Sequence, residues 1–268
     1  MSVGGCMRFI FLAVFLCVAS NGYALTMGQA IDKAGQQRML SQRIAQSFIL
    51  TGIQPDNARY KAQLDKAIKQ FQENLDTLQA NNDAISIRGE LLTVRNLWKP
   101  FKAVATGPVT KQNAAELLEK SDALLTAAHA YVQKLETLSN HKGAELVNVS
   151  GRQRMLSQRI AKHYLAYYWG LESEASLEKL YADLAEYELM LTFLKDSQFN
   201  TETIKKKILK TEGHLKYASK GFDGDMSLKG DRLIFVITGT TDTMLHNMNE
   251  ITHLYASELE NTEQVAAF

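Results

Sequence analysis

One eleven-residue phrase occurs twice in the chain. Residues 35–45 read GQQRMLSQRIA and residues 151–161 read GRQRMLSQRIA, so ten of eleven positions agree at an offset of 116. The offset outlasts the phrase. Leu64, Ile68, Phe71, Leu75 and Leu78 map onto Leu180, Leu184, Tyr187, Leu191 and Leu194. Near the end it becomes 120, and Ser121-Asp122 then pairs with Thr241-Asp242. A self-similar chain builds one supersecondary unit twice. Two copies of about 120 residues, a normal size for a small domain, fill the chain from residue 25 on.

Each copy reads as four helices. The stripe Leu64, Ile68, Phe71, Leu75, Leu78 recurs at spacings of three and four, which places the apolar residues on one helical face. Gly52 and Pro55 end the first helix, and Asp56 or Asn57 can cap the second. Thr106-Gly107-Pro108 separates the third from the fourth. In the second copy Gly170, then Ser173 or Ser176, then 196–200 mark the same joints. The few extra residues around Gly221-Phe222-Asp223-Gly224 account for the drift in offset. β-Branched alternation is almost absent. The expected fold is all-α: two tandem four-helix bundles, residues 25–145 and 146–268. No proline interrupts 111–169, so that stretch is expected as one long central helix shared by the bundles, with Gly143 a candidate bend.

Residues 1–24 have the order of an export signal: Arg8, an apolar run from Phe9 to Ala19, then Gly22-Tyr23-Ala24 with small residues at the cleavage positions. The run is too short for a bilayer span, which takes about 20 apolar residues. Both cysteines, Cys6 and Cys17, lie there. The chain after residue 24 therefore offers no disulfide, thiolate metal site or cysteine nucleophile. Removal of the segment leaves 29 cationic and 29 anionic side chains. A neutral chain has no general attraction to nucleic acid. The expectation is a secreted, periplasmic protein.

The repeated phrase carries the chemistry. On a helical wheel Arg38 and Gln42 fall beside the apolar group Ile31, Ala34, Ala45 and Ile49. Arg43 falls with Asp32, Gln36 and Gln46. Arg38 and its equivalent Arg154 are thus expected to be buried. Arg43 and Arg159 are expected to face solvent or a second subunit. A guanidinium on an apolar face needs a counter-charge. That charge can be a carboxylate from another helix or a bound oxyanion, whose planar shape suits the forked donors of arginine. Gly35 and Gly151, one turn upstream, leave room for a ligand or a neighbouring backbone. Gln42 and Gln158, one turn downstream, add amide donors. The second copy also has Arg152 where the first has Gln36, and Asn148 where the first has Asp32. The first adds a positive charge and the second removes a negative one, so both favour an anion and make the Arg154 side its expected favourite.

The string GRQRMLSQR, preceded by Val147-Asn148-Val149, resembles the signature of the PilJ-type sensor domain, the periplasmic part of type IV pilus chemotaxis transducers. It is similar to the first helix of nitrate/nitrite sensor kinases of the NarX type. The resemblance implies a binding role for Arg38 with Gly35 and for Arg154 with Gly151. In those sensors the anion lies between two symmetry-related helices of a homodimer. A tandem chain can imitate that pair alone or use a second chain. The candidate ligand-binding residues are then Gly35, Arg38, Gln42, Asn148, Gly151, Arg152, Arg154 and Gln158, and the expected ligand is nitrate or nitrite. The sequence lacks the membrane helix, HAMP-like linker, methyl-accepting coiled coil and kinase of those relatives. The expected output is therefore a membrane-bound receptor, cyclase or kinase in trans. The alternative is a structural or adaptor protein with both arginines in internal ion pairs.

Other motifs are weaker. No HExxH, nucleophile elbow or phosphate loop is present, so neither an enzyme nor a cofactor is expected. His246 and His253 share a helix face without metal-ligand company. Asp223-Gly224-Asp225 resembles a calcium loop but lacks the EF-hand pattern. Tyr164, Tyr167, Tyr168 and Trp169 read as packing at a helix end.

Overall fold

A computed structural model describes residues 25–81, 87–139, 142–171, 173–223 and 230–266. The export-type segment, including both cysteines, and Gly224-Asp225 lie outside the described residues. Eight helices and no strand occur among those that are described: α1 (Met27–Ile53), α2 (Ala58–Ala80), α3 (Arg88–Ala105), α4 (Lys111–Ser139), α5 (Lys142–Tyr168), α6 (Ser173–Lys195), α7 (Glu202–Phe222) and α8 (Asp231–Ala266). Local chemistry sets the ends. Thr26 caps α1 in a reciprocal box with Gln29, and the Asn57 side chain caps α2. α3 stops before Gly107-Pro108. Gly170 turns the chain after α5 with a φ of 72°, a conformation that glycine adopts without strain.

The expected continuous helix over 111–169 is not found. α4 ends at Ser139, α5 begins at Lys142, and the two run antiparallel. Lys162 Nζ lies 2.8 Å from Asp122 Oδ1, and nearer the turn the Asn148 amide meets Glu136. The reason is burial. Both helices carry apolar stripes, and doubling back lets both pack on α1. The absence of proline permits a long helix without requiring one. The expected division at 145/146 consequently falls inside α5.

α1 and α5 are the two central helices and pack against each other along their length. They run parallel and in register at the repeat offset. Gly35 faces Gly151, Arg43 reaches Gln158, and Gly52 lies against the Trp169 ring. α4 packs on α1, and α8 packs on α5. α2 with α3 and α6 with α7 form the outer parts of the two halves. Matching bonds recur in each half. Gln37 donates to the Phe71 carbonyl at 3.2 Å and Gln153 to the Tyr187 carbonyl at 2.8 Å. α1 is buried on nearly all sides, so its polar face is covered too: Asp32 and Gln46 are buried along with Arg38.

Candidate functional site

Arg38 and Arg154 are both 0 % exposed, while the Arg43 and Arg159 side chains are 20 % and 19 % exposed. The wheel separates the two classes correctly, but the outer pair meets neighbouring helices rather than open solvent. Arg43 Nη1 lies 2.8 Å from Asp242, and Arg159 pairs with Asp183 and Glu186.

The buried guanidiniums converge between α1 and α5. A Cβ added to Gly35 would lie 3.1 Å from Arg154 Nη2 and 3.4 Å from Arg38 Nη2. One added to Gly151 would lie 3.2 Å from Arg38 Nη2 and 3.3 Å from Arg154 Nη2. The two glycines are thus what lets both cations reach one place on the pseudo-twofold axis.

The partners are crossed. Arg38, on α1, donates from Nη1 to Asn148 Oδ1 at 2.8 Å and from Nη2 to the Asn148 carbonyl at 3.1 Å, both on α5. Arg154, on α5, donates from Nη2 to the Asp32 carbonyl at 3.2 Å and lies 2.6 Å from Asp32 Oδ1, both on α1. Each also meets the last helix of its own half. Arg38 Nη1 lies 3.2 Å from His129 Nδ1, and Arg154 Nη1 donates to Asn249 Oδ1 at 3.0 Å. Among the described residues neither Nε has a hydrogen-bond partner.

Charge is therefore unequal across the axis. Asp32 is the carboxylate in contact with the pair, and it sits on Arg154. Glu136 reaches Arg38 only through the Asn148 amide. Burial pushes the Asp32 carboxyl up, but the Arg154 charge and His253, whose Nδ1 stands 3.2 Å from Oδ2, more than offset it and hold the pKa well below the usual range. Burial, then the charges of Arg154 and Arg152, push Arg38 down to about 9. Burial and the Arg38 charge push His129 down to about 4. A neutral ring whose bare Nδ1 accepts from Arg38 follows from that.

Of the sequence candidates, Gly35, Arg38, Asn148, Gly151 and Arg154 come together here. Gln42 and Gln158 lie one turn along, where their bonds serve helix packing. Gln42 donates to the Ser121 carbonyl at 3.2 Å, and Gln158 accepts from Arg43 at 2.8 Å. Arg152 turns away to an ion pair with Glu186. Asn148, expected beside Arg154, bonds Arg38 instead, and Asp32 pairs with Arg154. Asp32, His129 and Asn249 were missed. The offset of 120 pairs His129 with Asn249 in the sequence, a signal that could have found them. The two tail histidines separate: His253 meets Asp32, and His246 lies 3.7 Å from Glu250. Among the described residues no group of His, Asp and Glu is arranged to hold a metal ion. No described helix is long and apolar enough to cross a membrane.

No curated protein and no solved structure matches the chain. The family model for the N-terminal domain of type IV pili methyl-accepting chemotaxis transducers, PilJ, matches residues 21–132 and 135–202, well over half of the sequence. The first match spans the helix that carries Arg38 and the second the helix that carries Arg154, and the chain belongs to the PilJ family of signalling sensor domains.

Proposed function

We propose that this protein is a periplasmic sensor that binds one small oxyanion, nitrate or nitrite, between Arg38 and Arg154. Its bound state would pass in trans to a membrane-bound receptor, cyclase or kinase. Two PilJ-type units are fused, so one chain supplies both motif helices and needs no second copy to complete the pair. The observation that carries this reading is the meeting of two wholly buried guanidiniums at Gly35 and Gly151 with, among the described residues, one carboxylate in contact. Two like charges out of water repel and call for negative charge. A planar oxyanion can accept from both forks at once. The chemistry assigned is binding alone, with no reaction.

The test is thermal unfolding of the exported chain in nitrate, nitrite or chloride at equal ionic strength. A ligand at about 100 times its dissociation constant stabilises the native state by about 2.7 kcal/mol, a shift of a few degrees for a chain of this size. Nitrate or nitrite should give that shift, and Arg38→Ala should remove it. Equal effects of all three anions would contradict the reading. The adaptor alternative has one observation in its favour, the direct Arg154–Asp32 ion pair. It predicts that no anion exceeds chloride.

A further inference from the structure

The repeat provides an internal control for a second place on the molecule. Between α1, α2 and α8 lies an open groove of about 560 Å³, within the range of small-molecule sites. Met39, Leu40 and Leu245 supply apolar wall, and Arg43, Arg59 and Lys66 supply cations. Arg43 is answered by Asp242. Arg59 and Lys66 are exposed and make no ion pair among the described residues. Arg59 also borders a neighbouring recess with Asp56 and Asp231.

The equivalent place in the second half has the same apolar residues, Met155, Leu156 and Leu125. It differs in the acids. At the positions of Ala67 and Gln70 stand Asp183 and Glu186. Asp183 accepts from Arg159 Nε at 2.8 Å, and Glu186 takes both Arg152 and Arg159. The second half thus spends its cations on its own carboxylates. In the first half those carboxylates are replaced by a methyl group and an amide: Arg43, the counterpart of Arg159, turns to Asp242, and Arg59 and Lys66, which stand where the second half has Ala175 and Ala182, line the groove.

We propose that the groove between α1, α2 and α8 is a second binding site, for an organic carboxylate with an apolar body. The apolar body lies on Met39, Leu40 and Leu245, and the carboxylate is met by Lys66 and Arg59. The groove also touches Asn249 and His253, the residues that hold Arg154 and Asp32 from outside. Its occupant therefore contacts the supports of the buried pair.

Octanoate is a suitable probe, with 1-octanol and octylammonium as neutral and cationic controls, titrated into the exported chain in chloride buffer without nitrate. The expected result is saturable binding of one octanoate per chain, at least tenfold tighter than either control. Ala67→Asp with Gln70→Glu gives the first half the carboxylates of the second and should weaken octanoate at least tenfold. Lys66→Glu, on the exposed rim, serves the same purpose should the double variant fold poorly. Absence of saturable octanoate binding, equal binding of octanol, or unchanged affinity in Lys66→Glu overturns the proposal. None of these outcomes depends on whether nitrate binds.

Discussion

Arg38 and Arg154 occupy equivalent positions and are equally buried, yet they are held differently. Arg154 has a carboxylate, Asp32, in direct contact. Arg38 has the amide of Asn148 at the matching place and an imidazole, His129, where Arg154 has the Asn249 amide. One guanidinium is closed by the fold and the other is held by neutral dipoles. A homodimer built from one copy could not differ in this way across its axis. A fused pair can keep one arginine as a structural anchor while leaving the other short of charge.

The largest expected effect follows from that asymmetry. Arg154→Ala strands Asp32, a buried carboxylate, and should cost about 3–5 kcal/mol. Arg38→Ala strands only neutral acceptors and relieves a like-charge contact, so about 1–3 kcal/mol is expected. Urea unfolding of both variants measures the difference. Equal losses would show that the two arginines are structurally equivalent after all.

Acid should expose the same contrast in two windows. Burial and the Arg38 charge lower the folded pKa of His129 to about 4, from an ordinary imidazole value of about 6.5. The unfolded chain binds the extra proton between those values, and stability falls as pH drops through them. His129→Asn, which copies Asn249, should flatten that limb. His163 is also lowered, so the difference between variant and wild type is the informative quantity. Asp32, lowered as well, contributes stability that is full above about pH 4, the ordinary carboxylate value, and is lost below it. Asp32→Asn should remove this second limb and leave the first. Unfolding midpoints from pH 7 to pH 3 decide both points.

The smallest stability effect should come from Gly35→Ala. The new methyl gains about 1 kcal/mol of helix propensity and meets the flexible tips of both guanidiniums at 3.1 and 3.4 Å, which must shift by a few tenths of an ångström. Stability should stay nearly level while nitrate binding weakens. Unaltered nitrate affinity would separate the glycine from the site.

Much of this was legible in the residues. Apolar spacing gives helices, and Gly52-Pro55, Gly107-Pro108 and Gly170 mark their ends because glycine and proline act locally. The burial of Arg38 against the partial exposure of Arg43 was legible too, since one helix turn fixes which side chains share a face. The reversal of direction between α4 and α5 was not. Whether a proline-free stretch runs straight or doubles back depends on which stripes find partners, and that is a property of the whole chain. The crossed pairing of Asp32 with Arg154 was hidden for the same reason. It requires knowing that α1 and α5 lie parallel and in register, and a repeat offset alone is silent on packing direction.

The most direct test moves a carboxylate without changing net charge. Glu136→Gln with Asn148→Asp takes the acid that reaches Arg38 through an amide and sets it on Arg38 itself, copying the Asp32–Arg154 contact. Calorimetric titration of nitrate into wild type and this double variant, in chloride-matched buffer, reads the consequence. The account predicts one saturable nitrate per wild-type chain and at least a tenfold loss in the variant, with the fold retained. Nitrate binding that is equal in the two proteins, or a wild type that takes nitrate and nitrite no better than chloride, would contradict it.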